Sequence, residues 1–180
     1  LFFVLSYMKV IMKERVCSTP YVNLDKALVE TKSNNFIEHF ILDYNNNSVA
    51  AVVVKDGKLL MLKTNRFICG KVGWEIPGGW MLDGETPLEA IRRKVEDETG
   101  YEVSEIKRLG ISVPLIGISK KEHLFFFVEV GDKLQKYNND LVCGLEFFNY
   151  NKVIKMVSRG LVFDEATLSG LMLAKADGYV

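Results

Sequence analysis

The sequence predicts an α+β fold: apolar runs pair as hairpins, one strongly capped helix interrupts them, and two further helices come late in the chain. The regular strand-then-helix alternation of a doubly wound parallel sheet is missing, so a mixed sheet layered with helices is expected. Of the 180 residues 48% are hydrophobic, enough to bury a sizeable core, which excludes a disordered chain. Basic and acidic side chains balance at 23 each, so no net field draws the chain toward nucleic acid or an anionic membrane. The three cysteines, Cys17, Cys69 and Cys143, form no CxxC pair and argue against a disulfide framework or zinc knuckle. A reducing, cytoplasmic setting is expected.

The elements follow in order. The opening LFFVLSY and MKVIM are apolar, but Lys9 interrupts them well short of the roughly 18 apolar residues that span a bilayer, and no basic stretch precedes them. Residues 1–15 are therefore read as an N-terminal extension, upstream of the native start or poorly ordered, and residues 16–180 as a single domain without repeats or linkers. FIEHFILDY (36–44) reads as a strand, NNNS as a turn and SVAAVVV as a buried strand. Asp56-Gly57 between AVVVK and KLLML signals a tight hairpin, because both residues tolerate positive φ. Further strands are expected over Ile111 to Ile116, Glu122 to Val130 and LEFFNY (145–150).

Helix signals are clearest at Thr86-Pro87-Leu88-Glu89. Thr86 is placed to accept from the N3 amide, Pro87 has no N–H to leave unpaired, and Glu89 reaches back to the cap; Gly100 stops the helix. Leu88, Ile91 and Val95 form its predicted core stripe, with Ala90, Lys94, Asp97 and Glu98 beside them. Two more helices are expected over Asn151 to Ser158 and Asp164 to Ala176, the latter with Leu168, Leu171 and Met172 at helical spacing.

The stretch GGWMLDGETPLEAIRRKVEDETGY (78–101) concentrates the chemistry. Two readings of its carboxylates stay open. Closely spaced oxygen ligands on a rigid helix suit Mg²⁺ or Mn²⁺, and a glycine turn lets a carbonyl join them. Equally, Arg93 with Asp97 and Lys94 with Glu98 are i,i+4 pairs of the kind that lace an ordinary surface helix.

Gly79, Glu85, Arg93, Val95, Glu98 and Gly100 all fall at once on the box of the Nudix hydrolases, which the sequence therefore resembles. RFICGKVGWEIPGG is similar to the strand and loop that precede this box in the ADP-ribose pyrophosphatase-like branch, and Pro114 stands at about the place where ADP-ribose-directed members carry a proline. The resemblance extends over about residues 36 to 175. It implies a Nudix fold, a mixed sheet packed between helices as an α/β/α sandwich. It also implies Mg²⁺- or Mn²⁺-dependent hydrolysis of a nucleoside diphosphate linked to another group, such as ADP-ribose or another nucleotide sugar. By position, Glu98 and Asp97 become metal ligands, the Gly79 carbonyl another, and Glu85 and Arg93 tie the loop to the helix, with Glu85 also near the metal. All four side chains enter the catalytic set. The branch further implies a homodimer through N-terminal strands, here from Val16 to Asp43.

Four departures stand out. Lys94 replaces the first Glu of the family's Arg-Glu pair, an ammonium for a carboxylate, and one hypothesis makes it a substitute cation that contacts phosphate. Asp97 replaces Glu, keeping the charge with a shorter reach, and Tyr101 stands in an aliphatic position. The late stretch YNNDLVCGLEFFNY, where this branch often places a catalytic Glu, offers only Asp140 and Glu146.

Arg66 resembles an arginine used near substrate phosphate and is equally an ordinary surface residue. Trp80 is a candidate to stack on substrate, whereas Trp74 reads as loop or core packing. His39 and His123 sit in strands without a partner at ligand spacing and are read as structural. No GK[ST], HExxH, GxSxG or post-strand GxGxxG occurs. The leading reading is a Nudix pyrophosphohydrolase. The alternatives are a catalytically weak Nudix domain serving as a nucleotide-ligand sensor, and an unrelated scaffold with a charged helix.

Overall fold

The expected helices and most of the expected strands are present in the computed structural model, which describes residues 8–134 and 140–180. The described residues fall into two units, one of residues up to Asn46 with Val113–Lys121, the other of Asn47–Ser112 with Glu122–Val180.

The first unit is an antiparallel three-stranded sheet of β1 (Lys9–Ser18), β2 (Val22–Glu30) and β3 (Phe36–Tyr44), in that order. Residues 9–15, read from the sequence as part of an N-terminal extension, belong to this paired strand. β2 alternates in burial, with Asn23, Asp25, Ala27 and Val29 inside. Asp25 is fully buried and held by two cations of the neighbouring strand, Lys13 at 2.7 Å and Arg15. A buried carboxylate needs such partners to remain charged. The segment Val113–Lys121 adds to this unit through Leu42 N–H to Ile118 O at 2.8 Å and His39 Nε2 to Gly117 O at 2.8 Å.

The second unit is built on a mixed sheet of β4 (Ser48–Lys55), β5 (Lys58–Arg66), β6 (Lys71–Glu75), β7 (Gly78–Trp80), β8 (Tyr101–Ser112), β9 (His123–Lys133) and β10 (Val142–Phe148). Its main path runs β10-β5-β4-β9-β8; β6 adds to β5 and β7 to β4, and the β4 to β9 pair is parallel. The Asp56-Gly57 turn joins β4 to β5 with φ of 50° and 70°, as its sequence predicts. The run SVAAVVV is apolar throughout because both of its faces are covered. Val49, Ala51 and Val53 pack with Ala90, Ile91 and Val95 of α1 (Pro87–Thr99). Ala50 and Val52 pack with Val153 and Met156 of α2 (Tyr150–Ser158) and Leu171 and Ala174 of α3 (Glu165–Ala176). Helices on both faces make the expected α/β/α sandwich.

Three expectations are corrected. The strand predicted over 111–116 belongs instead to β8, which starts at once after Gly100 and ends at Ser112, with turns following. Leu88, expected in the core stripe, is 55% exposed in the first turn of α1, and the buried residues of the helix start at Ala90. On α3, Leu168 and Met172 are exposed and the face toward the sheet is Thr167, Gly170, Leu171 and Ala174. The approach explains this choice: a Cβ on Gly170 would stand 2.8 Å from Ile76 Cδ1, so only small residues fit there.

Candidate active site

α1 is fixed at both ends by the residues that the sequence offers for it. Thr86 Oγ1 accepts from Glu89 N–H at 3.3 Å while the Glu89 carboxylate accepts from Thr86 N–H at 2.8 Å, a complete capping box. Gly100 closes the helix at φ 75°.

The loop before the helix is bound to it by one ion pair. Arg93 donates to Glu85 through Nε at 2.5 Å and Nη2 at 2.7 Å, a bidentate arrangement, and its Nη2 also reaches Trp80 O at 3.4 Å. Glu85 additionally accepts from Leu82 N–H at 2.8 Å. The guanidinium bond outweighs partial burial and, with the Leu82 amide, holds the Glu85 carboxyl at a pKa of about 2. Arg93 thus pairs with Glu85 rather than with Asp97 one turn on. Asp97 is exposed and acts on Arg93 only as a nearby charge.

Glu98 faces inward. Its side chain is 10% exposed, and Oε2 accepts from Gly78 N–H at 3.0 Å. Burial pushes its pKa up, while the Lys94 ammonium, the Gly78 amide and the Arg66 charge oppose that shift. Gly78 must be glycine, since a Cβ there would lie 2.5 Å from Val49 O of the paired strand. Gly79, at φ 150°, has the Lys94 side chain directly over it. A Cβ would stand 2.9 Å from Lys94 Nζ and 3.0 Å from Cε. The same Nζ is 3.7 Å from Glu98 Oε1.

Arg66 is clamped from below by Glu75, whose carboxylate receives Nε at 3.0 Å and Nη2 at 2.5 Å. Glu75 is only 3% exposed, and its hydrogen bonds hold the guanidinium strongly protonated. Trp80 is partly exposed at the end of β7, and Trp74 packs edge-on against Phe148 at 4.9 Å, as its packing role predicts. The structure therefore brings Gly79, Lys94 and Glu98 together, and Glu85 with Arg93 beside Trp80 O. Arg66 joins Glu98 only through its field. Of the late stretch, residues 137–139 lie outside the described residues, and Glu146 is exposed on β10.

Two groups were not singled out by sequence reading: Glu75 and the Gly78 N–H. A carboxylate set within the apolar run VGWEIP is a signal for a buried, partnered charge, and it precedes the glycine pair directly.

The donor set for a divalent ion can be tested on this geometry. Among the described residues no three His, Cys, Asp or Glu side chains gather as a metal cluster. The space over Gly79 is filled by an ammonium, and Glu85 is committed to Arg93. As folded, these residues do not fit the carboxylate cluster that the resemblance implies, because a cation of the chain stands where the cluster would need a further anion.

The NUDIX domain profile matches residues 45–166. The chain is 27% identical over 112 residues to the CMP-5'-(N-acetyl-N-hydroxy-3-aminopropyl)phosphonate hydrolase of Streptomyces rubellomurinus, a match covering 62% of this chain and 54% of that protein. It is 24% identical over 162 residues to the ADP-ribose pyrophosphatase of Bacillus subtilis, covering 88% of each. The crystal structure of an ADP compounds hydrolase superposes with a TM-score of 0.85 over 99% of this chain and 100% of that one, at 13% identity. The chain thus spans about half the length of the Streptomyces relative and nearly all of the Bacillus one.

Proposed function

The chain belongs to the NUDIX domain family, and from that membership we propose that it is a pyrophosphohydrolase of the ADP-ribose pyrophosphatase-like branch. Its substrate is a nucleoside diphosphate linked to another group, with ADP-ribose or a similar nucleotide sugar foremost. One observation carries this reading: the Gly79, Glu85, Arg93 and Glu98 framework closes as a unit, with the loop locked to the helix by Arg93 and the inward carboxylate anchored on Gly78. The Bacillus relative is named for ADP-ribose and the Streptomyces relative for a CMP-linked phosphonate, both nucleotide substrates.

In the proposed reaction a water oxygen forms a bond to one phosphorus while the bridging P–O bond of the anhydride breaks. Two phosphate monoesters leave, and the water's protons pass to them or to solvent. The chain's contribution is positional and electrostatic. Arg93 and Glu85 keep the loop at the head of α1 in one place. Glu98 presents a fixed carboxylate, and Lys94 and Arg66 set positive charge near it, with Trp80 offering a partly exposed ring for the substrate. Asp97, on the exposed side of α1, completes the set of residues on which turnover is proposed to depend.

The test is product release from ADP-ribose, a UDP-sugar, NADH and a dinucleoside polyphosphate, each with Mg²⁺, with Mn²⁺ and with EDTA. Turnover of ADP-ribose that Glu98→Gln lowers by at least about 100-fold is expected. Binding of these nucleotides without turnover under every condition overturns the hydrolase reading. The same panel decides the Mg²⁺ or Mn²⁺ requirement.

The proposal takes the chain from β1 onward as one functional domain in a cytoplasmic homodimer, with the boundary expected at residue 16 moved to Lys9 because β1 starts there. Among the described residues no helix is long and apolar enough to cross a membrane. The three cysteines are exposed free thiols, which suits a reducing compartment. Strand β1 supports dimerisation: it is an edge strand, exposed along its whole length, with Val10, Met12 and Val16 each more than half exposed.

A further inference from the structure

We propose that Lys94 is a resident cation of this site: its ammonium, seated over Gly79 and beside Glu98, contacts the pyrophosphate oxygens directly and lowers the site's affinity for divalent ions. The inference deepens the hydrolase reading by assigning one side chain to the anionic part of its substrate.

Three features on the same few atoms carry it. First, the place is made for the ammonium. Gly79 holds φ 150°, a conformation that residues with a Cβ rarely adopt, and Lys94 Nζ and Cε approach within 2.9 and 3.0 Å of the point a Cβ would occupy. Second, the ammonium is neither buried away nor free in solvent. The Lys94 side chain is 23% exposed, and Nζ stays 3.7 Å from Glu98 Oε1, a distance that leaves N–H donors for a ligand. An ordinary surface i,i+4 pair would not have its carboxylate 10% exposed and bonded to a backbone amide from another element. Third, a divalent cation placed against Glu98 Oε1 would meet the positive charge of Lys94 at close range, whereas a phosphoryl oxygen would be attracted by it.

The proposal is read out by binding, so it does not depend on turnover. The probes are Mn²⁺ alone and inorganic pyrophosphate in EDTA, titrated calorimetrically into the wild type, Lys94→Glu, Lys94→Gln and Lys94→Arg, with the melting temperature of each variant as a control for folding. The wild type is expected to bind pyrophosphate without metal. Lys94→Gln should weaken this by at least about tenfold, and Lys94→Arg should retain most of it, because the charge is kept. Lys94→Glu should bind Mn²⁺ at least about tenfold tighter than the wild type, or bind an additional ion.

Equal Mn²⁺ binding by wild type and Lys94→Glu overturns the inference. So does pyrophosphate binding in EDTA that is absent, or that Lys94→Gln leaves unchanged, since Lys94 is then only a helix salt bridge. If the wild type turns over none of the nucleotide panel but Lys94 still governs both titrations, the hydrolase reading fails and the role of Lys94 stands.

Discussion

At Glu85 two forces act on one carboxylate, and their balance gives a testable pH dependence. Partial burial disfavours the charge, but two guanidinium hydrogen bonds from Arg93 and the Leu82 amide favour it more, so the pKa falls from 4.5 to about 2. A depressed carboxylate pKa stabilises the fold fully above the unfolded value, and this contribution disappears as pH falls toward the folded one. Between pH 4.5 and 2 the melting temperature of the wild type should therefore drop more steeply than that of Glu85→Gln, which has nothing to protonate there. Parallel curves through that window would show that the ion pair is not closed in solution. The i,i+4 rule pointed Arg93 toward Asp97, because helix spacing registers only local neighbours, whereas the family resemblance paired it with Glu85. Its partner Glu85 lies eight residues back in the loop and becomes a neighbour only once that loop folds over the helix.

The elements show how far local signals reach. α1 was legible at both ends because capping chemistry is local: Thr86, Pro87, Glu89 and Gly100 do in the fold what their types dictate. α3 was legible in extent, and Asp164 caps it by accepting from Thr167 N–H at 2.8 Å, but its buried face was misread. Leucine and methionine spacing favoured Leu168 and Met172. The sheet instead takes the smallest side, with Gly170 against Ile76, Phe125 and Val52. Gly170→Ala should consequently cost about 1–3 kcal/mol by overpacking, against the gain in helix propensity expected at an open position. Urea unfolding measures the difference, and an equal or higher midpoint for the alanine variant would mean that α3 sits farther from the sheet.

For the whole molecule, the first unit ends in an edge strand whose apolar side chains and backbone groups are open. Light scattering at micromolar concentration should give twice the monomer mass. Placing lysines at Val10, Met12 and Val16 should return the monomer, since charge on an edge strand opposes strand-to-strand association. A monomer alone in the wild type rules out the dimer. β1 itself was not predicted, because residues 1–15 were read as an extension; the structure shows that Lys13 and Arg15 within it are spent on the buried Asp25 of β2.

By itself the sequence determined the α+β class, the Asp56-Gly57 hairpin, the limits of α1 and the residues of the box, since each rests on backbone conformation or spacing within a few turns of chain. It also determined that an ammonium replaces a carboxylate at position 94. Tertiary structure alone decided where that ammonium goes, over a glycine of β7 and beside a carboxylate anchored to Gly78, because the strand and the helix become neighbours only when both pack on β4. It decided equally that Arg66 pairs with Glu75: in the β5–β6 register Arg66 stands opposite Lys71 and Glu75 opposite Leu62, and the long guanidinium side chain reaches along the hairpin to a buried carboxylate that needs a cation.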